Sequence, residues 1–472
     1  MFLYIVWYNL KSAVIFKNNY IGELNFMKKR DLISFVGIVL LIMIITAACA
    51  GDNINGETND DSALEIITET NEENSQPETE AQAETVSADD PNLQKTAAPV
   101  ITGSVNTSPS TICVAGKCEK DAIITIKGGI ETVSFKAADI YFMGTTELAA
   151  NASVKLKITA RTEGKNESEE VTLNAKYIAA AKHIRTDAFE VIVGKDSMCH
   201  FVSALPDYEG ANVLESGQIK SLTSRIESKV KWLNENMSGT ELIYLIVPSS
   251  TTVYPETMPP QYKQSNGVKR KDQFAEAARA AGATAIDVTD ALLSHKEDIY
   301  RLFHPTDSHW TEYGAWIAYT ELMNYIAEKW PDAAPRSFDE MGFYEKDVDG
   351  GDMPYYLELD YKKVREVSVF SNPKFELPIT MMKHTTDHGL LMNHDTTPKA
   401  RDIKSNRSNL PSAYIMRDSY GIALYDMLAE RFNRTIYENM WSYPFDTDAL
   451  KQYNADYIIC IIAERNLGDI LY

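Results

Sequence analysis

Beyond about Arg185 the chain alternates short apolar runs with amphipathic stretches, and this alternation restricts the fold more than any other feature of the sequence. Strand-length apolar runs lie at 242–247, 285–288, 413–416, 435–440 and 457–462. Helix-period stretches lie between them at 216–234, 273–281, 310–329 and 420–431, and Gly282 is placed to close the second of these. The expected fold class from residue 185 to 472 is therefore α/β, with helices layered on a sheet. Residues 331–411 are less regular and read as an insertion over that sheet.

A chain of 472 residues exceeds what one core usually serves, so a second domain is expected. Alternating runs at 122–126, 133–135, 154–158 and 171–173 supply it. Turn clusters at Gly128-Gly129 and Gly164-Lys165-Asn166 separate them, predicting a small all-β sandwich of immunoglobulin type over 98–178. Such a module serves as a spacer or a binding unit, and its residues offer no catalytic constellation.

The N-terminal part is not globular. Met27 to Cys49 has a basic start at Lys28 to Arg30, an apolar run from Ile33 to Ile45, and small residues before Cys49. This is the layout of a bacterial export signal over 27–48. Thr46-Ala47-Ala48-Cys49 resembles a lipobox, which would make Cys49 the lipidated first residue of the mature protein; an uncleaved anchor helix is the alternative. Residues 1–26 fit no targeting pattern. Gly22-Glu23 can be encoded as a ribosome-binding sequence, so Met27 is the expected start.

Asp52 to Asp90 holds thirteen acids and no Lys or Arg. Such a stretch cannot bury enough apolar surface to fold, so 49–97 reads as a disordered tether. The tether accounts for much of the net charge of −21. No basic stripe for nucleic acid exists. Cys113 and Cys118 are placed to close a small disulfide loop in an oxidising exterior. Cys199 and Cys460 sit in apolar stretches, as buried thiols do.

Acyl transfer needs a hydroxyl nucleophile, a base, a carboxylate that orients the base, and donors for an oxyanion. Ala413 to Met416 is an apolar strand running into Arg417-Asp418-Ser419, and a helix follows. Ser419 is thereby put where α/β sheets carry their sites and backbone N–H groups meet an anion. Helix capping by Asp418 or Ser419 is the bland alternative. In His304-Pro305-Thr306-Asp307-Ser308-His309-Trp310, an Asp and a His two apart can face one cleft, His309 as base and Asp307 as its orienter. Metal binding by His304, Asp307 and His309 competes, with His384, Asp387, His388 and His394 as further donors, but neither set has a recognised ligand spacing. Simple capping by Asp307 over a packed Trp310 competes as well. No metal and no cofactor is expected.

Asp-Ser-His-Trp ahead of a Gly-Ala helix, followed later by Arg-Asp-Ser-Tyr-Gly, resembles the DHHW proteins and the AlgX–AlgJ-type SGNH-hydrolase-like polysaccharide O-acetyltransferases. Their permuted order, Asp-x-His first and Ser last, is the order here. The resemblance extends to Val191-Ile192-Val193-Gly194-Lys195-Asp196, Val247-Pro248-Ser249-Ser250 with Tyr254-Pro255-Glu256, Gly351-Asp352-Met353, and Glu464-Arg465-Asn466-Leu467. It implies a three-layer SGNH-like domain in which Ser419 accepts an acetyl group, His309 moves the proton and Asp307 holds His309. The Ser419 N–H would serve the oxyanion, and Tyr425 would assist there or bind sugar. The stretch Ser197-Met198-Cys199-His200-Phe201 and the Arg417 before Asp418 depart from the common family pattern.

The resemblance implies an extracytoplasmic, lipid-anchored O-acetyltransferase acting on an exported polysaccharide, fed with acetyl by a membrane-bound O-acyltransferase. Water in place of the sugar acceptor would make the same triad an acetylesterase. A silent cleft would leave a glycan-binding or assembly lipoprotein. Trp310, Trp316 and Trp441 are the aromatics considered for sugar stacking, against core packing.

Overall fold

The computed structural model describes residues 89–178, 191–360, 362–375, 379–381, 401–405, 407–439 and 445–471. The segments expected to be an upstream extension and an export signal, Cys49 and most of the expected acidic tether lie outside the described residues, as do His384, Asp387, His388, His394 and Trp441. Among the described residues no helix is long and apolar enough to cross a membrane.

The first domain has seven strands: β1 (Val100–Asn106), β2 (Thr111–Lys117), β3 (Ile123–Lys127), β4 (Val133–Lys136), β5 (Tyr141–Glu147), β6 (Ser153–Arg161) and β7 (Val171–Lys176). They form two antiparallel sheets, β1-β2-β5 and β4-β3-β6-β7. Because side chains alternate along a strand, Ile112, Val114 and Phe142 of one sheet meet Ile124, Ile126, Leu156 and Ile158 of the other in a single core. Immunoglobulin constant domains keep the fourth strand with the first sheet. Here the short 128–132 connection holds β4 beside β3 as a hairpin.

Two expectations for this region are corrected. The tether does not reach residue 97, because Asn166 draws the preceding segment onto the sandwich. Its amide donates to Leu93 O at 3.1 Å, its side-chain oxygen accepts from Asp90 N, and Thr96 is buried against its carbonyl. The Cys113–Cys118 disulfide is absent, and both thiols are free. Cys113 lies inside β2, and five residues of strand span about 16 Å, whereas a bridge needs Cα atoms roughly 4.4–6.8 Å apart. The odd spacing also sends the two thiols to opposite faces, one into the sandwich core and one away from it.

The second domain opens with a short antiparallel ribbon, β8 (Val191–Val193) and β9 (Cys199–Phe201). There follow α1 (Ser216–Asn236), β10 (Glu241–Val247), α2 (Arg270–Ala280), β11 (Thr284–Asp287) and α3 (Glu312–Ala327). Then come β12 (Tyr344–Asp349), β13 (Arg365–Phe370), β14 (Ile379–Met381), β15 (Arg401–Ser405), β16 (Ser412–Arg417), α4 (Tyr425–Arg431), β17 (Arg434–Asn439), α5 (Thr447–Tyr453) and β18 (Tyr457–Ala463). The main sheet runs β11-β10-β18-β16-β17-β15-β14. Its first five strands are parallel, β15 pairs antiparallel with β17, and β14 pairs antiparallel with β15.

Strand periodicity builds three layers. Ile243, Leu245, Ile459 and Ile461 face the core that contains α3 and α4; Leu242, Tyr244, Ile458 and Ile462 face the core that contains α1 and α2. Gly282 closes α2 with φ of +82°. The insertion over 331–411 divides: β12 and β13 form a separate hairpin, while β14 and β15 extend the sheet edge. The helix expected at 420–431 begins as a tight 3₁₀ turn, Ser419–Leu424, before α4.

Candidate active site

Parallel strands β10, β18 and β16 end together, and the loops that leave them form the cleft where such sheets carry ligands. Ser419 follows β16. Its turn is fixed by Asp418, whose Oδ1 accepts from Tyr420 N at 3.0 Å and whose Oδ2 accepts from Ala463 N at 2.7 Å and Asn466 Nδ2 at 2.8 Å. Asp418 is thus the capping residue. Ser419 remains half-buried among buried neighbours.

Arg417 is buried beneath this turn, donating to Asp418 O at 3.0 Å and lying over the Tyr425 ring at 4.8 Å. Gly421 is needed there, since a Cβ would fall 2.6 Å from Arg417 Cδ. The departure at Arg417 is therefore structural bracing.

The second loop is closed at its base by the Phe303–Trp310 bridge and by Thr311 N donating to Leu302 O. Thr311 caps α3, and Gly314 admits the Leu302 carbonyl, 2.3 Å from where a Cβ would sit. The loop aims His309 at Ser419: Nε2 lies 2.6 Å from Ser419 Oγ, and Nδ1 lies 2.6 Å from Asp307 Oδ1. With Nδ1–H donating to the carboxylate, Nε2 is left to accept from the hydroxyl. Both Asp307 and His309 are almost fully buried.

Tyr420 locks the two loops together. Its carbonyl accepts from Trp310 Nε1 at 3.1 Å, and its hydroxyl donates to Ser308 O at 2.7 Å. Trp310 is accordingly a core residue, and Trp316, stacked on Tyr313 and donating to Arg336 O, is a packing residue too.

A second carboxylate backs the first. Asp352 accepts from Ser308 N at 2.8 Å and Ser308 Oγ at 2.6 Å, while its own N–H donates to Asp307 Oδ2 at 3.2 Å. Burial and then the neighbouring Asp307 charge push the Asp352 carboxyl up. Burial acts on Asp307 in the same direction, but His309 outweighs it and holds that carboxyl down. Asp307 therefore gives up its proton at lower pH than Asp352.

Behind the loop, His304 Nδ1 sits 2.7 Å from Glu366 Oε1 on β13, and Glu366 Oε2 accepts from Thr306 N and Oγ1. Burial disfavours the imidazolium, yet Glu366 prevails and raises His304 to about 9, so it is charged at neutral pH.

His304 therefore does not join Asp307 and His309 as a ligand set. Among the described residues, the metal-type cluster is Asp307, His309 and Asp352, with one ligand atom from each lying within 4.8 Å of the others. Those carboxylates already accept from His309 and Ser308, which is the bonding of a proton relay.

Tyr425 packs against Arg417. It follows the 3₁₀ turn Ser419–Leu424 and opens α4. It is buried, its hydroxyl receives Arg417 Nη2, and its ring meets Tyr437 at 4.5 Å. It braces the floor under the nucleophile turn.

Residues that follow β18 close the site. Buried Glu464 accepts from Ser249 N at 2.9 Å and Thr252 Oγ1 at 2.7 Å. Arg465 lies over Tyr420 at 4.9 Å and donates to the Tyr420 hydroxyl and Ser308 O. His200 is buried between Ser250 Oγ and Thr257 Oγ1, each 2.8 Å away; burial lowers it to about 3, so it stays neutral.

Residues 211–369 match the family model described as SGNH hydrolase-like domain, acetyltransferase AlgX. This part of the chain is an SGNH hydrolase-like domain. The SGNH-like chain is 32% identical over 152 residues to a probable alginate O-acetylase AlgJ of Pseudomonas syringae pv. tomato, covering 32% of this chain and 36% of that protein. It therefore spans about a third of that curated relative. Among solved structures, Bacillus cereus PatB1 is 15% identical with a TM-score of 0.45, covering 60% of this chain and 99% of that one. A DHHW family protein from Eubacterium siraeum is 13% identical with a TM-score of 0.41, covering 66% and 92%.

Sequence reasoning gave no role to Asp352, Glu366, Tyr420 or Arg465. Asp352, Tyr420 and Arg465 stood inside the motifs that carry the family resemblance, and that was the available signal. Glu366 had none: it acts on Thr306 from sixty residues away, across a hairpin.

Proposed function

We propose that this chain transfers an acetyl group to hydroxyls of an exported or cell-surface polysaccharide through an acetyl-Ser419 intermediate. The observation that carries the reading is the line Ser419 Oγ, His309, Asp307, with hydrogen bonds of 2.6 Å at each joint. The AlgX-type domain and the AlgJ relatives support the substrate class.

His309 Nε2 takes the Ser419 proton as Oγ attacks the acetyl carbonyl carbon. The donor's C–O or C–S bond then breaks, and His309 returns the proton to the departing group. A sugar hydroxyl next gives its proton to His309 and attacks the acetyl-enzyme; Ser419 regains its proton as the new ester leaves. Asp307 keeps Nδ1 protonated and stabilises the imidazolium without taking its proton. The Ser419 N–H, first in its turn, stabilises the oxyanion; one such donor is typically worth about 10²–10³ in rate.

The donor reaches the site through a membrane-bound O-acyltransferase, and the protein works outside the cytoplasm, held by lipid on Cys49. Hydrolysis of p-nitrophenyl acetate by wild type and by Ser419→Ala tests the chemistry. Loss of the enzymatic rate in the variant is expected, and equal rates would refute it. Adding an acceptor glycan then separates transfer from hydrolysis, since a transferase acetylates the glycan faster than it releases acetate.

A further inference from the structure

We propose that the β-sandwich is a positioning element of the active site, holding the Asp307–His309 loop in register with Ser419, and not a free-standing ligand-binding module. The inference rests on the acyl-transfer reading above and explains what the first domain is for.

The two domains share a core. Cys113, Ala115 and Met143 of the sandwich pack with Val193, Cys199 and Phe201 of the β8–β9 ribbon, and with Met353, Leu357, Leu359 and Val364 beyond Gly351. Each ribbon strand has three residues, too few to be stable alone. Its connecting turn is strained as well: Asp196 and Ser197 are consecutive non-glycine residues at φ of +51° and +62°.

Sandwich backbone holds that turn. Lys136 N donates to Asp196 Oδ1 at 3.1 Å, Met143 N donates to Ser197 Oγ at 3.2 Å, and Ser197 Oγ donates to Lys136 O at 3.2 Å. A second tie joins Tyr141 Oη to Asp347 Oδ2 on β12 at 2.8 Å.

Both held segments end on the loop that carries the base. Cys199 N, two residues beyond Ser197, donates to Pro305 O at 2.8 Å. The β12–β13 hairpin supplies Glu366 to Thr306, and Gly351 N, just past β12, donates to Thr306 Oγ1. Tyr141, Met143, Ser197, Pro305, Thr306 and Glu366 border one narrow crevice between the domains. Shifting the sandwich therefore moves Pro305 and Thr306, and with them Asp307.

The test uses the full chain and three variants. Asp196→Gly and Ser197→Gly ease the left-handed backbone but delete the ties to Lys136 and Met143. Asp196→Asn retains both the carbonyl acceptor and tolerance of positive φ. If the ties position the base, the glycine variants lose about tenfold or more in kcat, as sub-ångström to ångström misplacement does, with KM little changed. Asp196→Asn keeps the wild-type kcat.

A second readout needs no turnover. The His309 Nδ1 proton, held at 2.6 Å by Asp307, should resonate far downfield in ¹⁵N-histidine-labelled protein, assigned by its absence from Asp307→Asn. It should weaken in the glycine variants and persist in Asp196→Asn. Wild-type kcat and an unchanged resonance in both glycine variants would overturn the proposal and leave the sandwich a separate module. Equal hydrolysis by wild type and Ser419→Ala would refute acyl transfer alone, because the resonance still reports whether the sandwich positions His309.

Discussion

Gly351→Ala isolates the geometry on which the triad depends. Gly351 has φ of −72°, outside the left-handed region, so the substitution carries no left-handed penalty. Its effect is the clash: a Cβ would lie 2.3 Å from Asp307 Cβ and 2.4 Å from Asp307 Oδ2, where ordinary contact begins at 3.4 Å. One chain must give way by 3.4 − 2.3, or 1.1 Å. Asp307 is tied on its other side to His309 Nδ1 and His309 N, so that displacement is passed to the imidazole. Misplacement of about 1 Å costs on the order of 10² in rate, or about 3 kcal/mol of barrier. Overpacking itself costs roughly 1–3 kcal/mol of stability, which a folded domain survives. The assay is steady-state hydrolysis of p-nitrophenyl acetate, read as kcat and KM, with Tm alongside. Gly342→Ala is the control: it meets Asn372 O at 2.6 Å and carries a φ of +62°, so it destabilises without touching Asp307. A kcat near wild type for Gly351→Ala, or an equal loss for Gly342→Ala, would refute the reasoning.

Glu464 predicts a pH dependence of stability. Burial, and then the Asp207 charge, raise its carboxyl to about 7 in the folded protein. The native state therefore binds more protons than the unfolded chain between about pH 4.5 and 7, so stability falls as pH rises through that window, by about 3 kcal/mol. Glu464→Gln, neutral throughout, should gain roughly 5 °C in Tm relative to wild type between pH 5 and pH 8; a Tm difference that does not vary with pH contradicts this. The free thiols are checked by alkylation in denaturant without reductant, which should modify Cys113 and Cys118 separately; recovery of the two peptides linked to each other contradicts the strand assignment.

The parts of the fold legible in the sequence were those with unbroken patterns. The runs at β10, β16 and β18 are apolar on both faces and fall where the sheet centre lies. Strands β1, β2 and β5 were not legible, because Gly103, Gly116 and Gly144 interrupt them. Two of those glycines answer to tertiary packing: a Cβ at Gly144 would meet the Phe135 ring at 2.3 Å, and one at Gly116 would meet Phe142 at 2.5 Å. The Asp307–His309 and Ser419 motifs could be found because each is contiguous. Among their supports, Asp352 and Arg465 stood in motifs of the family resemblance, whereas Glu366 could not be found, since it reaches Thr306 from a distant hairpin through hydrogen bonds that leave no periodic trace.

The most direct measurement is to trap the intermediate. Wild-type protein mixed with an activated acetyl ester, quenched in acid and digested, is mapped by mass spectrometry. The account predicts one acetyl group on the peptide bearing Ser419, located at Ser419 itself, and its absence from His309→Ala. Acetyl found on another residue, or on none while acetate is released at the wild-type rate, would contradict the claim that Ser419 carries the acyl group.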